Sequence, residues 1–84
     1  MEQMNIGDLV ISEAGHDKGF FYIIVGIDRE QKRVKLADGV YKLVDKPKIK
    51  NIKHICFVEK KFDETVKITD LNVKRAIKLF SEQG

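Results

Sequence analysis

The chain reads as a small, mainly β domain: an antiparallel barrel of short strands closed by a C-terminal helix. Three observations lead there. Five short apolar or alternating segments follow one another closely through the first two thirds of the chain, which is the spacing of a sandwich or barrel. The hydrophobic period changes to 3.6 residues only at the end, where Leu71, Val73, Ala76, Ile77 and Phe80 mark one helical stripe. The length, 84 residues, allows one compact core and no second domain.

Each element has its own signal. Gly7 to Ser12 is apolar and bounded by glycines. Phe20 to Ile27 is rich in β-branched and aromatic residues and is the strongest strand. Alternation puts Phe21, Ile23, Val25 and Ile27 on one face and Phe20, Tyr22 and Ile24 on the other, which is expected to be partly covered. Asp28 to Lys32 is a polar connection into Arg33 to Ala37, where Val34 and Leu36 alternate with Arg33 and Lys35. Asp38-Gly39 fits a type I′ hairpin turn, so Val40 to Leu43 is expected to return as a strand. Pro47 offers no N–H, so Asp45 to Asn51 is a loop or a sheet edge. His54 to Val58 is the last strand. Thr69 or Asp70 can cap a helix over residues 70–82.

Composition excludes several classes. Hydrophobic residues make up 43% and charged residues 35%. The longest apolar run, Phe20 to Val25, is far short of the ~20 residues a spanning helix needs, so no membrane association is expected. Met1 to Asn5 lacks the basic and apolar regions of a signal peptide. The lone Cys56 has no disulfide partner. A cytoplasmic protein is expected. The net charge of +3 is unevenly placed. Residues 41–61 hold seven Lys against Asp45 and Glu59, a local +5. Such a segment attracts polyanions better than the same charge spread evenly.

The run Ile6 to Gly19, continued through Phe20 to Ile27, resembles the KOW motif. Gly7, Asp8, Val10, Gly15, Lys18 and Gly19 stand where that pattern has its Gly-Asp opening, first strand and basic glycine turn. Ile24 to Asp28 and Leu36 to Gly39 continue the match. The resemblance spans about residues 6–58. In this longer form the sequence is similar to KOW-containing large-subunit ribosomal proteins of archaea and eukaryotes, and to their small bacterial RNA-binding relatives. Tyr22 departs from it, standing where many KOW sequences carry glycine. The resemblance implies an SH3-like barrel and binding to RNA or the ribosome.

The residues support a site on their own terms. Gly15 and Gly19 permit a turn whose exposed N–H groups can meet phosphate oxygens. Lys18 adds charge there, and His16 can hydrogen-bond to or stack on a base. A plain structural turn is the alternative. Lys42, Lys46, Lys48, Lys50 and Lys53 form the basic segment. If extended, Lys46, Lys48 and Lys50 would point to one side and suit a phosphate backbone. The alternative is a solvated edge guarded by lysine. Among aromatics that could stack on a base, Phe20, Tyr22 and Tyr41, Tyr41 stands out because turns lie at the surface; the alternative is core packing.

Other chemistry is thin. His54 and Cys56 are two apart on an expected strand, but zinc needs four ligands and only His16 remains. A buried thiol beside a surface histidine is expected instead, with no metal and no cofactor. Asp8, Asp17, Asp28 and Asp38 sit at turns or strand ends, where local backbone hydrogen bonds account for them. No nucleophile motif or phosphate loop is present. The expectation is a non-enzymatic, monomeric RNA-binding module with no small-molecule substrate. Its partner would be RNA, ribosomal RNA in the first place, with ribosomal proteins nearby. A protein-interaction adaptor is the alternative, favoured if Leu71, Val73, Ile77 and Phe80 are exposed.

Overall fold

The fold was described from a computed structural model, covering residues 4–63 and 65–83. Met1 to Gln3, part of the N-terminal segment read above, lie outside the described residues, as do Glu64 and Gly84. The strands are β1 (Asp8–Ser12), β2 (Phe21–Asp28), β3 (Arg33–Ala37), β4 (Lys48–Asn51) and β5 (Ile55–Lys60). A single 3₁₀ turn, Ile52–His54, joins the last two, and α1 spans Asp70–Gln83. All neighbouring strands are antiparallel, in the order β4-β3-β2-β1-β5.

That order forces the sheet to curl. Strands β4 and β5 stand at opposite edges, which in a flat five-stranded sheet would be about 19 Å apart. The three-residue 3₁₀ turn between them advances only ~2 Å per residue. The edges therefore approach each other, giving the expected small SH3-like barrel with a C-terminal helix.

Alternation along the strands buries two clusters of side chains, one on each face of the sheet. Val10, Tyr22, Ile24, Val34, Leu36 and Ile55 pack inside the barrel. Leu9, Ile23 and Ala37 face outward and are buried with Val73 of α1. Phe21, Val25, Ile77 and Phe80 pack around that second cluster, Phe80 meeting Phe21 edge-on at 5.2 Å. Both faces of β2 are thus covered, one by the barrel and one by the helix. The register of β2 shifts between Ile24 and Gly26. A one-residue bulge turns subsequent side chains to the other face. Ile27 accordingly packs on the inner cluster and does not share a face with Phe21 and Ile23 as alternation alone predicts.

The connection after β3 differs from the expected hairpin. Gly39 does adopt positive φ, at +81°. But Val40 to Leu43 is no strand. The Oδ1 atom of Asp38 accepts from the backbone N–H of Val40, Tyr41 and Lys42, each at 2.8 Å. The Asp38 and Gly39 N–H groups donate to the Lys42 carbonyl. A carboxylate has taken the donors that a ladder would have used. The returning strand is β4, after Pro47, so the edge reading of Asp45 to Asn51 holds for Lys48–Asn51.

At the end of the barrel, His54 lies in the 3₁₀ turn and Cys56 on β5, so the two do not share a strand face. Cys56 is exposed, contrary to the expected buried thiol. Thr69 caps α1, its Oγ1 accepting from the Asn72 N–H at 3.2 Å. Asp70 acts elsewhere. Its Oδ1 accepts from the Val44 N–H at 2.8 Å and ties the β3–β4 connection to the helix. Val73 is fully buried, Ile77 and Phe80 are half-buried, and Leu71 is exposed. Most of the stripe therefore docks the helix on the sheet. Among the described residues, no helix is long and apolar enough to cross a membrane.

Candidate nucleic-acid interface

The β1–β2 turn closes through its backbone. Gly19 N–H donates to the Ser12 carbonyl at 2.8 Å, and Ser12 N–H to the Phe20 carbonyl at 2.9 Å. Phe20 N–H donates to the Asp17 carbonyl at 2.9 Å. Gly15 and Gly19 take φ of +86° and +92°, a conformation that glycine adopts without strain. The turn leaves Gly15, His16, Lys18 and Gly19 exposed and sends Asp17 inward, 5% exposed.

Asp17 is the centre of a buried polar cluster. Its Oδ1 accepts from Ser12 Oγ at 2.9 Å and from Lys50 Nζ at 2.7 Å. Its Oδ2 accepts from Tyr22 OH at 3.0 Å and pairs with Lys48 Nζ at 2.8 Å. Lys50 Nζ also donates to the Ala14 carbonyl at 2.7 Å. Burial alone would push the Asp17 carboxyl up. The hydrogen bonds from Lys48, Lys50, Ser12 and Tyr22 outweigh it and hold the group well below the usual carboxylate range. Burial, the bond to Asp17 and the charges of Asp17 and Asp38 push the Tyr22 phenol well above its ordinary value. Among the described residues, no buried side-chain nitrogen or oxygen lacks a hydrogen-bond partner. A buried charge held this way is tolerated because every site on it is used.

This cluster rearranges the expected site. Lys48 and Lys50 share one side of β4, as period 2 requires, but Lys46 precedes the strand, paired through Leu43 in a tight turn. The two strand lysines turn toward Asp17. The Lys50 side chain is 10% exposed and that of Lys48 is 31% exposed, so Lys48 alone of the pair presents much surface. Tyr22 is buried and held by Asp17, which removes it from the aromatics open to a base. Asp8, Asp28 and Asp38 accept from nearby backbone N–H groups as expected. Asp17 does not: its side-chain partners are other side chains, and two come from β4. Sequence reading missed it. The available signal was an acid inside a glycine-bounded turn, with lysines two apart later in the chain.

The result is a basic edge. The His54 carbonyl accepts from Glu13 N–H at 2.8 Å, which sets the 3₁₀ turn and its exposed Lys53 against the base of the β1–β2 turn. Gly15, His16, Lys18 and Gly19 are thereby brought together with Lys48, Lys50 and Lys53. Tyr41, Lys42 and Lys46 are exposed on the β3–β4 connection. Phe20, 57% exposed, leaves the glycine turn on the side of Tyr41, and both line one groove. Among the described residues, no group of three or more His, Cys, Asp or Glu is placed to hold a metal ion.

Five antiparallel strands in this order, a glycine turn between the first two and a 3₁₀ turn between the last two define a KOW-like, SH3-like barrel. The crystal structure of the MjSpt4:Spt5 complex, conformation B, contains a chain of similar fold, with a TM-score of 0.63 and 23% identity. The superposition covers 75% of this chain and 42% of that one, so this chain spans less than half of its structural neighbour. No family model and no curated protein matches the sequence.

Proposed function

We propose that this chain is a non-enzymatic, monomeric RNA-binding module acting in the cytoplasm, gripping the RNA backbone through its basic edge. The observation that carries the reading is the Asp17 cluster, which uses Lys48 and Lys50 to fasten an exposed glycine turn onto β4. Two segments far apart in sequence become one surface, carrying the exposed Lys18 and Lys53, with Lys42 and Lys46 exposed on the β3–β4 connection. Such an edge recognises structured RNA by shape and backbone. The KOW resemblance points to ribosomal RNA as the ligand.

Fluorescence anisotropy with a labelled ribosomal RNA helix–loop fragment tests this. Replacing Lys18 and Lys53 together with Gln should lower affinity and reduce the slope of log affinity against log salt by about 2. Lys50→Gln should instead cost stability, because Lys50 is buried on Asp17. Unchanged affinity in the Lys18/Lys53 variant would move the site off this edge. The structural neighbour belongs to a complex of two proteins, which favours the adaptor as second reading. Pull-down from an RNase-treated lysate that enriches one protein partner, with no RNA crosslinked to the chain, would favour it over RNA.

A further inference from the structure

A groove beside the basic edge has the parts of a base-stacking site. It is about 370 Å³ in volume and lies between Phe20, Phe21, Val40 and Tyr41 on the barrel side and Lys74 and Lys78 on α1. Pockets that take a ligand group begin near this size. Its aromatics are unusually open: Tyr41 is 84% exposed and Phe20 57%. Yet Tyr41 is not on a loose loop. Three amides converge on Asp38, the Lys42 carbonyl closes the loop, and Gly39 packs against the Asp70 carbonyl and Lys74 N–H of α1. Binding would therefore not have to order the backbone that carries the ring.

The charge around the groove identifies the occupant. Lys74 and Lys78 are four apart on α1 and both exposed, so they stand on one face with Cβ atoms about 5–6 Å apart. Two ammonium groups in line beside exposed rings match a strand whose bases stack and whose phosphates run alongside. The one acid at the groove, Asp38, has its Oδ1 occupied by backbone donors. Phe20 joins the groove to the Gly15–Gly19 turn, so a strand leaving the basic edge would reach it directly.

We propose that this groove binds unpaired bases of single-stranded RNA, stacked on Tyr41 and Phe20, with the flanking phosphates on Lys74 and Lys78. The proposal rests on the RNA-binding reading and adds single-stranded specificity to it.

The chain contains two Tyr and no Trp, so intrinsic emission reports on Tyr22 and Tyr41 alone. Titrating the full chain with decauridylate should quench that emission. Tyr41→Leu should abolish the quench and weaken oligonucleotide binding roughly 5- to 150-fold, the span expected for loss of one stacked base. Tyr41→Phe should restore affinity. Binding of a blunt-ended RNA duplex without a loop should change less than about twofold in Tyr41→Leu, since it offers no unpaired base to the groove. Circular dichroism should show both variants folded, because the Tyr41 side chain packs on little. If decauridylate binds both Tyr41→Leu and Phe20→Leu as well as it binds the unaltered chain, the groove is not the site, and the RNA reading survives. If neither decauridylate nor the blunt duplex binds the unaltered chain, both readings fall. If a leucine- and glutamate-bearing decapeptide quenches Tyr41 and decauridylate does not, the groove docks protein and the proposal is overturned.

Discussion

Asp17 holds the basic edge together, and its removal should separate stability from binding. Without the carboxylate, Lys50 keeps its ammonium inside the protein with the Ala14 carbonyl as its remaining partner of the two it now has. Leaving a buried charge unpaired costs about 3–5 kcal/mol. Asp17→Asn should lose about that much in urea unfolding at pH 7. The pH dependence follows from the direction of the shift. A carboxyl held below its ordinary value stabilises the fold fully above about pH 4, and that stabilisation is lost as pH falls from there through the folded value. The gap between Asp17→Asn and the unaltered chain should therefore narrow below about pH 4. Equal stability at pH 7 would mean the cluster contributes nothing net. Little of this was legible in sequence. Asp8, Asp28 and Asp38 find donors within four residues, which local reasoning anticipates. Asp17 finds its main partners 31 and 33 positions away, after the chain has folded back.

At the scale of elements, strands with one wet face and the terminal helix are readable because their periods are strong. Arg33–Ala37 has the bounds its alternation predicts, and α1 ends within a residue of the expected C-terminus. The β3–β4 connection is harder to read. Asp-Gly suits a tight hairpin, but it also suits a carboxylate that gathers its own backbone. The choice between them depends on α1, which packs on Gly39 and binds Val44 through Asp70. The bulge in β2 is hidden for a similar reason: Gly26 lies against the Lys35 side chain, a contact across strands. Two glycines test the importance of the helix contact. Gly19 and Gly39 both take positive φ. At Gly19 a methyl group would meet nothing within 4 Å, whereas at Gly39 it would lie against backbone, 2.9 Å from Lys74 N. Gly19→Ala should cost only the conformational strain, about 1–2 kcal/mol, or roughly 4–16 °C in Tm. Gly39→Ala should add a packing cost of about 1–3 kcal/mol and lower Tm clearly further. Equal shifts in thermal unfolding would show that the connection does not rest on α1.

For the whole molecule, the fold class is accessible because so much of it is local: short strands, glycine turns and a change of period. The segments that build the candidate edge are readable in outline, since charge density marks residues 41–61 and the glycine turn marks residues 15–19. Folding redistributes it. Lys50 becomes structural, Lys48 partly so, and the second face of β2 goes to the helix. The cations left exposed around the edge are Lys18, Lys42, Lys46 and Lys53. Binding carried by these four should be electrostatic and should weaken with salt in proportion to their number. The most direct measurement is the affinity for a structured ribosomal RNA fragment across a salt series. Four phosphate contacts should give a log–log slope of about −2.8 to −3.6. A flat dependence, or no binding at low salt, would contradict an RNA-gripping edge.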